Sequence, residues 1–555
     1  MESELRPFRP RQTERQALAT FVATVENQSA SEQSKPIARK RERGFALLLV
    51  SVLTVFALAV HGFHPYAEDG GLYIAGVKRL LDPELYPWQT AFVLEPMRFS
   101  LFAPLVAVLV RLSRLGLPAV LLLLHLASIW ATLFAAWMLS ARCWTGRLAR
   151  AGAVGLLACW LTLPVAGTAL FLMDPYLTAR SFSTPCTLLA LVAALDFTGW
   201  NAAGSTRRRG LFLCASSLAL AAAMHPLMAA YALWATLTVV CMRSPRRRTR
   251  VWGAASLSAT MLAIAACLQV AAKPESAACI RIAQTRTYWF PTMWAWYELA
   301  GLAAPLAILL AFAWTPSRRT APHSSLQPNG AQQVLARTAV AVGVTAFLVA
   351  LLFARAGAPT HLVARMQPLR AFQIVYLMLV LLLGAKLGEY ALRRKPWRWA
   401  AAFALLGGVM FAAQRGTFPN SPHAELPWTA SRNPWTQAFL WVRANTPEDS
   451  LFALDADYIN APGEDAQSFR AIAERSALPD YSKDGGEASI APELTEAWTT
   501  GQAAQRGLSA PNQTDAQRIA SLRPLGVTWI VLESPIKTAF DCPYRNAAVK
   551  VCRLP

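Results

Sequence analysis

A chain of 555 residues that is 55% apolar and 15% charged lacks the charge to clothe a water-facing surface, since soluble proteins carry about 25% charged residues. The net charge of +21 would suit a nucleic-acid binder, but its placement excludes one: residues 45–424 hold 32 Lys and Arg against 10 Asp and Glu, whereas 425–555 hold 12 against 16. The basic excess sits in short clusters beside apolar runs, where Lys and Arg mark the cytoplasmic face of a membrane and meet anionic head groups.

In chain order, residues 1–44 are polar and end in Arg39-Lys40-Arg41-Glu42-Arg43, which predicts a disordered cytoplasmic tail and no signal peptide. Apolar runs of about 20 residues, the length of a membrane-crossing helix, then follow. With Arg142/Arg147/Arg150, Arg207–Arg209, Arg246–Arg248, Arg318/Arg319 and Arg393–Lys395 as inside markers, spans are expected at 45–62, 118–140, 151–173, 184–200, 211–224, 226–242, 251–272, 297–314, 338–354, 369–387 and 399–414. The apolar stretch 99–114 contains Arg111 and Arg114, and counting it as a span would put two basic clusters outside. It reads as an interfacial or re-entrant helix. The expected class is mainly α: a polytopic helical membrane protein with about eleven transmembrane helices, N-terminus in and C-terminus out. Residues 45–424 form the membrane domain, with an outward loop at 63–117. No ten-residue alternation of the β-barrel kind is present.

From Glu425 the composition becomes that of a soluble domain, and a small α/β domain is expected over 425–555, outside the cytoplasm. Asn433–Ala444 predicts an amphipathic helix with Trp435, Phe439 and Val442 on one side, stopped at Asn445-Thr446-Pro447. Leu451–Leu454 and Val527–Leu532 read as strands. Asp455, Asp457, Glu464, Asp465, Asp480 and Asp484 are too irregularly spaced for a calcium loop and read as a solvated acidic surface. Most of the nine cysteines lie singly in or beside apolar runs, as packing residues, but Cys542 and Cys552 flank a short turn that a disulfide can close in an oxidising compartment.

The chemistry-bearing residues gather in the outward stretches. The first loop reads His61-Gly-Phe-His64-Pro-Tyr-Ala-Glu68-Asp69-Gly-Gly-Leu-Tyr73. Adjacent carboxylates just past a span are costly unless hydrated, paired or metal-bound. One of them can serve as a general base while the other orients it or holds a divalent ion; equally, the pair can be an exposed turn opening a helix at its favourable end. Asp174 and Arg180 stand together in the second outward turn, either as an interfacial helix break or as part of the same cavity. Arg365 and Arg370 lie at the mouth of a later span, and guanidinium is the preferred fork for phosphate; Arg180, Arg281 and Arg286 are further candidates. His225, before Pro226, reads either as a proton acceptor or as a structural histidine at a helix break. Tyr288–Tyr297 is an interfacial aromatic belt or a wall for a sugar or prenyl chain.

An acidic pair just after the first transmembrane helix, followed by Tyr73 and Ala75, resembles the signature of GT-C glycosyltransferases, polytopic enzymes that use sugars linked to lipid phosphates. Trp441-Val-Arg-Ala-Asn445-Thr446-Pro447-Glu-Asp449-Ser450 is similar to the opening of the soluble domain in oligosaccharyltransferase catalytic subunits and related bacterial membrane proteins. The aromatic-acidic signature that follows in oligosaccharyltransferases is replaced by Leu454-Asp455-Ala-Asp457-Tyr458. The resemblance implies a bacterial inner-membrane enzyme that takes a polyprenyl-phosphate-linked sugar and works on the outer face. Asp69 would be the base, Glu68 its orienting partner or a metal ligand, Asp174 a third acid, and Arg180, Arg365, Arg370, His225 and Tyr73 the substrate and phosphate contacts. A divalent metal at Glu68 and Asp69 is the only cofactor implied. Two other readings remain: a transporter or flippase of a lipid-linked or small polar substrate, and a non-enzymatic membrane assembly protein. Acids at one face and the lack of an internal repeat weigh against transport, and no nucleotide-binding glycine loop is present.

Overall fold

The computed structural model describes residues 41–199, 204–314 and 330–555, so most of the expected tail and the Arg318/Arg319 cluster lie outside the described residues. The chain falls into two units, Met1–Val52 and Leu53–Pro555, and the candidate site belongs wholly to the second.

Among the described residues six helices are long and apolar enough to cross a membrane: Arg41–His61, Leu117–Cys143, Arg247–Ala271, Trp296–Trp314, Ala331–Phe353 and Leu362–Leu392. The count rises to seven if Thr90–Met97 and Phe102–Ser113, bent by 94° as in a broken span or re-entrant loop, are one crossing. The expectation of eleven spans is therefore wrong, and the N-in/C-out orientation drawn from that odd number falls with it.

The reasons are local. The apolar run 151–173 does not continue as helix: Arg147–Cys159 stops, and β1 (Pro164–Val165) turns back to pair antiparallel with β2 (Leu170–Phe171). Helix Gly204–Met224 carries Arg207, Arg208 and Arg209 within its own first turns. Helix Pro226–Met242 has only 17 residues, and Pro396–Thr417 carries Arg398 in its first turn and Gln414 and Arg415 in its last. Helix Ala179–Phe197 is apolar because protein surrounds it, with nearly every residue from Ala179 to Leu195 buried. Apolar composition signals burial; it does not say whether lipid or protein does the burying.

Small residues let the interior helices approach closely. A Cβ on Gly152 would lie 2.3 Å from the carbonyl oxygen of Gly384, so Arg147–Cys159 and Phe372–Lys386 meet backbone to backbone, the contact that packs helices in lipid.

The C-terminal region is built on a five-stranded mixed sheet. Its strands are β3 (Leu451–Ala453), β4 (Ser476–Ala477), β5 (Trp529–Glu533), β6 (Tyr544–Arg545) and β7 (Val549–Arg553), in the order β4-β3-β5-β7-β6. Pairing is parallel between β3 and both β4 and β5, and antiparallel from β5 to β7 to β6. The two-residue period of strands sends Phe452, Trp529 and Val531 to one face, against Trp435, Phe439 and Phe469. Leu451, Ile530 and Leu532 go to the other, against Leu508 and Leu522. Helix Pro434–Asn445 is capped by the Asn433 side chain, which accepts from the amides of Trp435 and Thr436. Cys542 and Cys552 are joined by a disulfide.

This region is sewn to the first loop by backbone. Glu68 N donates to Ala466 O (2.8 Å), Ser468 N to Tyr66 O (3.0 Å), and Glu425 N to Phe63 O (2.8 Å).

Candidate functional site

The acidic pair opens helix Glu68–Leu81, with both carboxylates in its first turn, where the helix dipole favours them. Glu68 has φ +52°, a left-handed conformation rare outside glycine, held by the hydrogen bond that its amide donates to Ala466 O. Such strain persists where the surroundings enforce it. The glycines that follow explain how the surroundings come so near. A Cβ on Gly71 would stand 2.2 Å from Ser468 Cβ, and one on Gly70 would stand 2.8 Å from Pro65 O. The run Glu-Asp-Gly-Gly thus lets the 466–468 segment lie directly on the helix start.

Asp69 sits between two cations. One nitrogen of Arg180 donates to Asp69 Oδ2 and to Asp174 Oδ2, each at 3.0 Å. Arg180 Nε (3.3 Å) and Thr178 Oγ1 (3.2 Å) also donate to Asp174 Oδ2. Thr178 and Ser181 form a capping box that starts helix Ala179–Phe197, so the arginine is aimed by a well-made helix terminus. On the other side Lys483 Nζ bonds to Glu68 and lies 3.2 Å from Asp69 Oδ1.

The environment separates the two aspartates. Burial opposes ionisation of Asp69, yet Lys483, Arg180 and Arg370 together hold its carboxyl well below the usual carboxylate range. Asp174 is pushed the other way: burial disfavours its charge and Asp69 adds repulsion, with Arg180 offsetting only part.

Arg370 is near enough to help depress Asp69. Its Nε is buried with no hydrogen-bond partner, and among the described residues no carboxylate stands within ion-pair distance of it. It lines a small, partly open pocket with Tyr288, Trp289, Gln367 and Thr168. His225 also faces this group, with its Nδ1 buried and unpartnered. Tyr73, one helical turn beyond Asp69, packs edge-on against Phe102 at 5.3 Å.

Among the sequence candidates, the structure thus brings together Glu68, Asp69, Tyr73, Asp174, Arg180, His225 and Arg370. Arg365 stands apart, paired with Glu275 (3.1 Å) and donating to Ser489 O (2.8 Å). Arg286 donates to the carbonyls of Ser482 and Tyr481, and Arg281 is exposed.

Sequence reading missed Lys483 and Glu487, both on helix Lys483–Ile490. It also misread the neighbouring acids as solvated: Asp480, Asp484, Glu464 and Asp465 are all buried. Asp484 is gripped by Arg470 at 2.6 and 2.8 Å. The available signal was Lys483-Asp484-Gly-Gly, a second charged pair followed by two glycines, but nothing in the chain ties it to a loop 400 residues away.

Among the described residues no group of three or more His, Cys, Asp or Glu is placed to hold a metal ion. The carboxylates expected to share a divalent ion share the Lys483 ammonium instead, so the residues present do not form a metal cradle.

No family model matches the chain, and no curated protein matches it. Solved structures show a broad likeness to the chain at low identity. The mycobacterial arabinofuranosyltransferase AftD, in a mutant form, is 15% identical with a TM-score of 0.47; the match covers 92% of this chain and 41% of that one. The oligosaccharyltransferase AglB from Archaeoglobus fulgidus is 11% identical with a TM-score of 0.41, over 89% and 70% of the two chains. At TM-scores below 0.5 the likeness carries nothing about chemistry, which rests on the site's own residues.

Proposed function

We propose that this chain is a membrane glycosyltransferase of the GT-C kind, working in a bacterial plasma membrane. It would move a sugar from a polyprenyl phosphate to an acceptor hydroxyl on the side that holds the C-terminal sheet. The observation that carries this reading is the cluster in which Arg180 and Lys483 hold Asp69 while Arg370, its Nε buried without a partner, stands near enough to act on the same carboxylate.

In such a transfer the bond from the anomeric carbon to the phosphate oxygen breaks. The acceptor oxygen bonds to that carbon, and the hydroxyl proton passes to a base. Asp69 is the base, held in orientation by Arg180 and Lys483. Arg370 receives the charge left on the departing phosphate, the role for which a planar guanidinium is suited. Asp174 fixes Arg180, while His225 and Tyr73 supply hydrogen bonds around the sugar.

The test is transfer from a radiolabelled polyprenyl-phosphate sugar by the purified protein. Asp69→Asn is expected to lower kcat by about 100-fold or more while donor binding is kept. Arg370→Ala is expected to weaken donor binding, seen as a raised KM. Transfer that continued at the parental rate in Asp69→Asn would end this reading.

A further inference from the structure

The acidic pair of the first loop already has a cation, and it belongs to the chain. Lys483 opens helix Lys483–Ile490, and its Nζ bonds to Glu68 and lies 3.2 Å from Asp69 Oδ1. The lysine does not hang on a free segment. Its backbone amide donates to Asp480 Oδ1 (2.6 Å), and the amide of Asp480 donates to Asp484 Oδ2 (2.8 Å). Asp484 is in turn clamped by both of its bonds to Arg470. A buried ion pair in the C-terminal domain therefore sets where the ammonium stands.

Charge balance points the same way. Around Asp69, the acids Glu68 and Asp174 are matched by Lys483, Arg180 and Arg370. Three cations are already in place, and a divalent ion between Glu68 and Asp69 would sit beside an ammonium and near a guanidinium. Like charges at such range repel strongly where solvent is partly excluded.

We propose that Lys483 takes the place of a divalent cation at the acidic pair, so that a fixed lysine from the C-terminal domain holds Glu68 and Asp69 in position. An ammonium has three donors; two meet these carboxylates, and the third is free for an oxygen of the donor phosphate. The inference rests on reading Glu68 and Asp69 as the reacting acidic pair, but occupation of their oxygens is measurable without any transfer.

The full-length protein in detergent micelles is titrated with Mn²⁺, and free ion is read by electron paramagnetic resonance. Parent and Asp69→Asn should bind Mn²⁺ alike, with no site that depends on Asp69. Lys483→Ala should gain an Asp69-dependent site about tenfold or more tighter than anything in the parent, and Lys483→Arg should not. Lys483→Gln serves as a second variant if the alanine protein fails to fold. A parental Mn²⁺ site that vanishes in Asp69→Asn would overturn the proposal, as would no gain in both Lys483→Ala and Lys483→Gln. Loss of the glycosyltransferase reading would show instead in the Asp69→Asn transfer assay and leave the Mn²⁺ result standing.

Discussion

Two acids near Arg370 respond to pH with opposite sign. Asp69 has a folded pKa below its unfolded value, so its ion pairs contribute stability that is present above the ordinary Asp value and lost on strong acidification. Glu487 is pushed up to about 8, first by burial and then by Glu95, Asp69 and Asp484, with Arg370 pulling the other way. Here the folded chain keeps a proton that the unfolded chain releases near 4.5, so this group's contribution falls as pH rises from that value to about 8. Glu487→Gln should be near neutral at about pH 5 and stabilising by on the order of 1–2 kcal/mol at about pH 9, a figure reduced because the carboxyl is partly exposed. Thermal unfolding at the two pH values reads this. Equal shifts at both would mean that Glu487 titrates normally. Removing Asp174 is a different matter: Asp174→Asn leaves Arg180 buried with one carboxylate where it had two. A cost of about 3 kcal/mol is expected, with kcat lowered because Arg180, which orients Asp69, loses its own anchor.

At the scale of elements, the site depends on how closely helix Glu68–Leu81 meets the 466–468 segment. Gly71→Ala would place a methyl 2.2 Å from Ser468 Cβ, and because that neighbour is tied to backbone the contact cannot relax cheaply. A loss of about 1–3 kcal/mol is expected. Transfer should fall with it, since Ser468 N–Tyr66 O and Glu68 N–Ala466 O hold the acidic pair. Gly116→Ala meets only Pro118 Cδ, at 3.8 Å, and serves as the control. If both variants melted together, the close approach would not matter. The disulfide acts on a separate element. Serine at Cys542 and Cys552 should lower stability by about 2–3 kcal/mol, the entropy of a short closed loop, with no effect on Asp69 chemistry because the bridge ties β7 to the segment leading into β6.

At the scale of the molecule, charged and aromatic groups fasten the C-terminal sheet to the helical part. Lys78 pairs with Glu474 at 2.6 Å, Tyr86 donates to Arg470 O at 2.9 Å, and Arg286 holds the carbonyls of Tyr481 and Ser482. These contacts place helix Lys483–Ile490 over the first loop. The double variant Lys78→Ala with Arg286→Ala should loosen the C-terminal domain, read as faster cleavage between residues 425 and 434 by a trace protease in micelles. It should also reduce transfer although neither residue touches Asp69. Unchanged cleavage would show that backbone pairing alone holds the domain.

Composition and periodicity were enough to establish a helical membrane protein, because about 20 consecutive apolar residues have few other fates. All six long apolar helices coincide with segments that the chain announces in this way. The pattern could not tell lipid from protein as the burying medium, and that is why Ala179–Phe197 and the run after Ala151 were overcounted as spans. The acidic pair was equally legible, since two adjacent carboxylates past a span demand partners. Which partners they have is a long-range fact. Lys483 is separated from Asp69 by 414 positions, and only the packing of the C-terminal domain onto the first loop brings an ammonium, rather than water or a metal ion, to the two carboxylates.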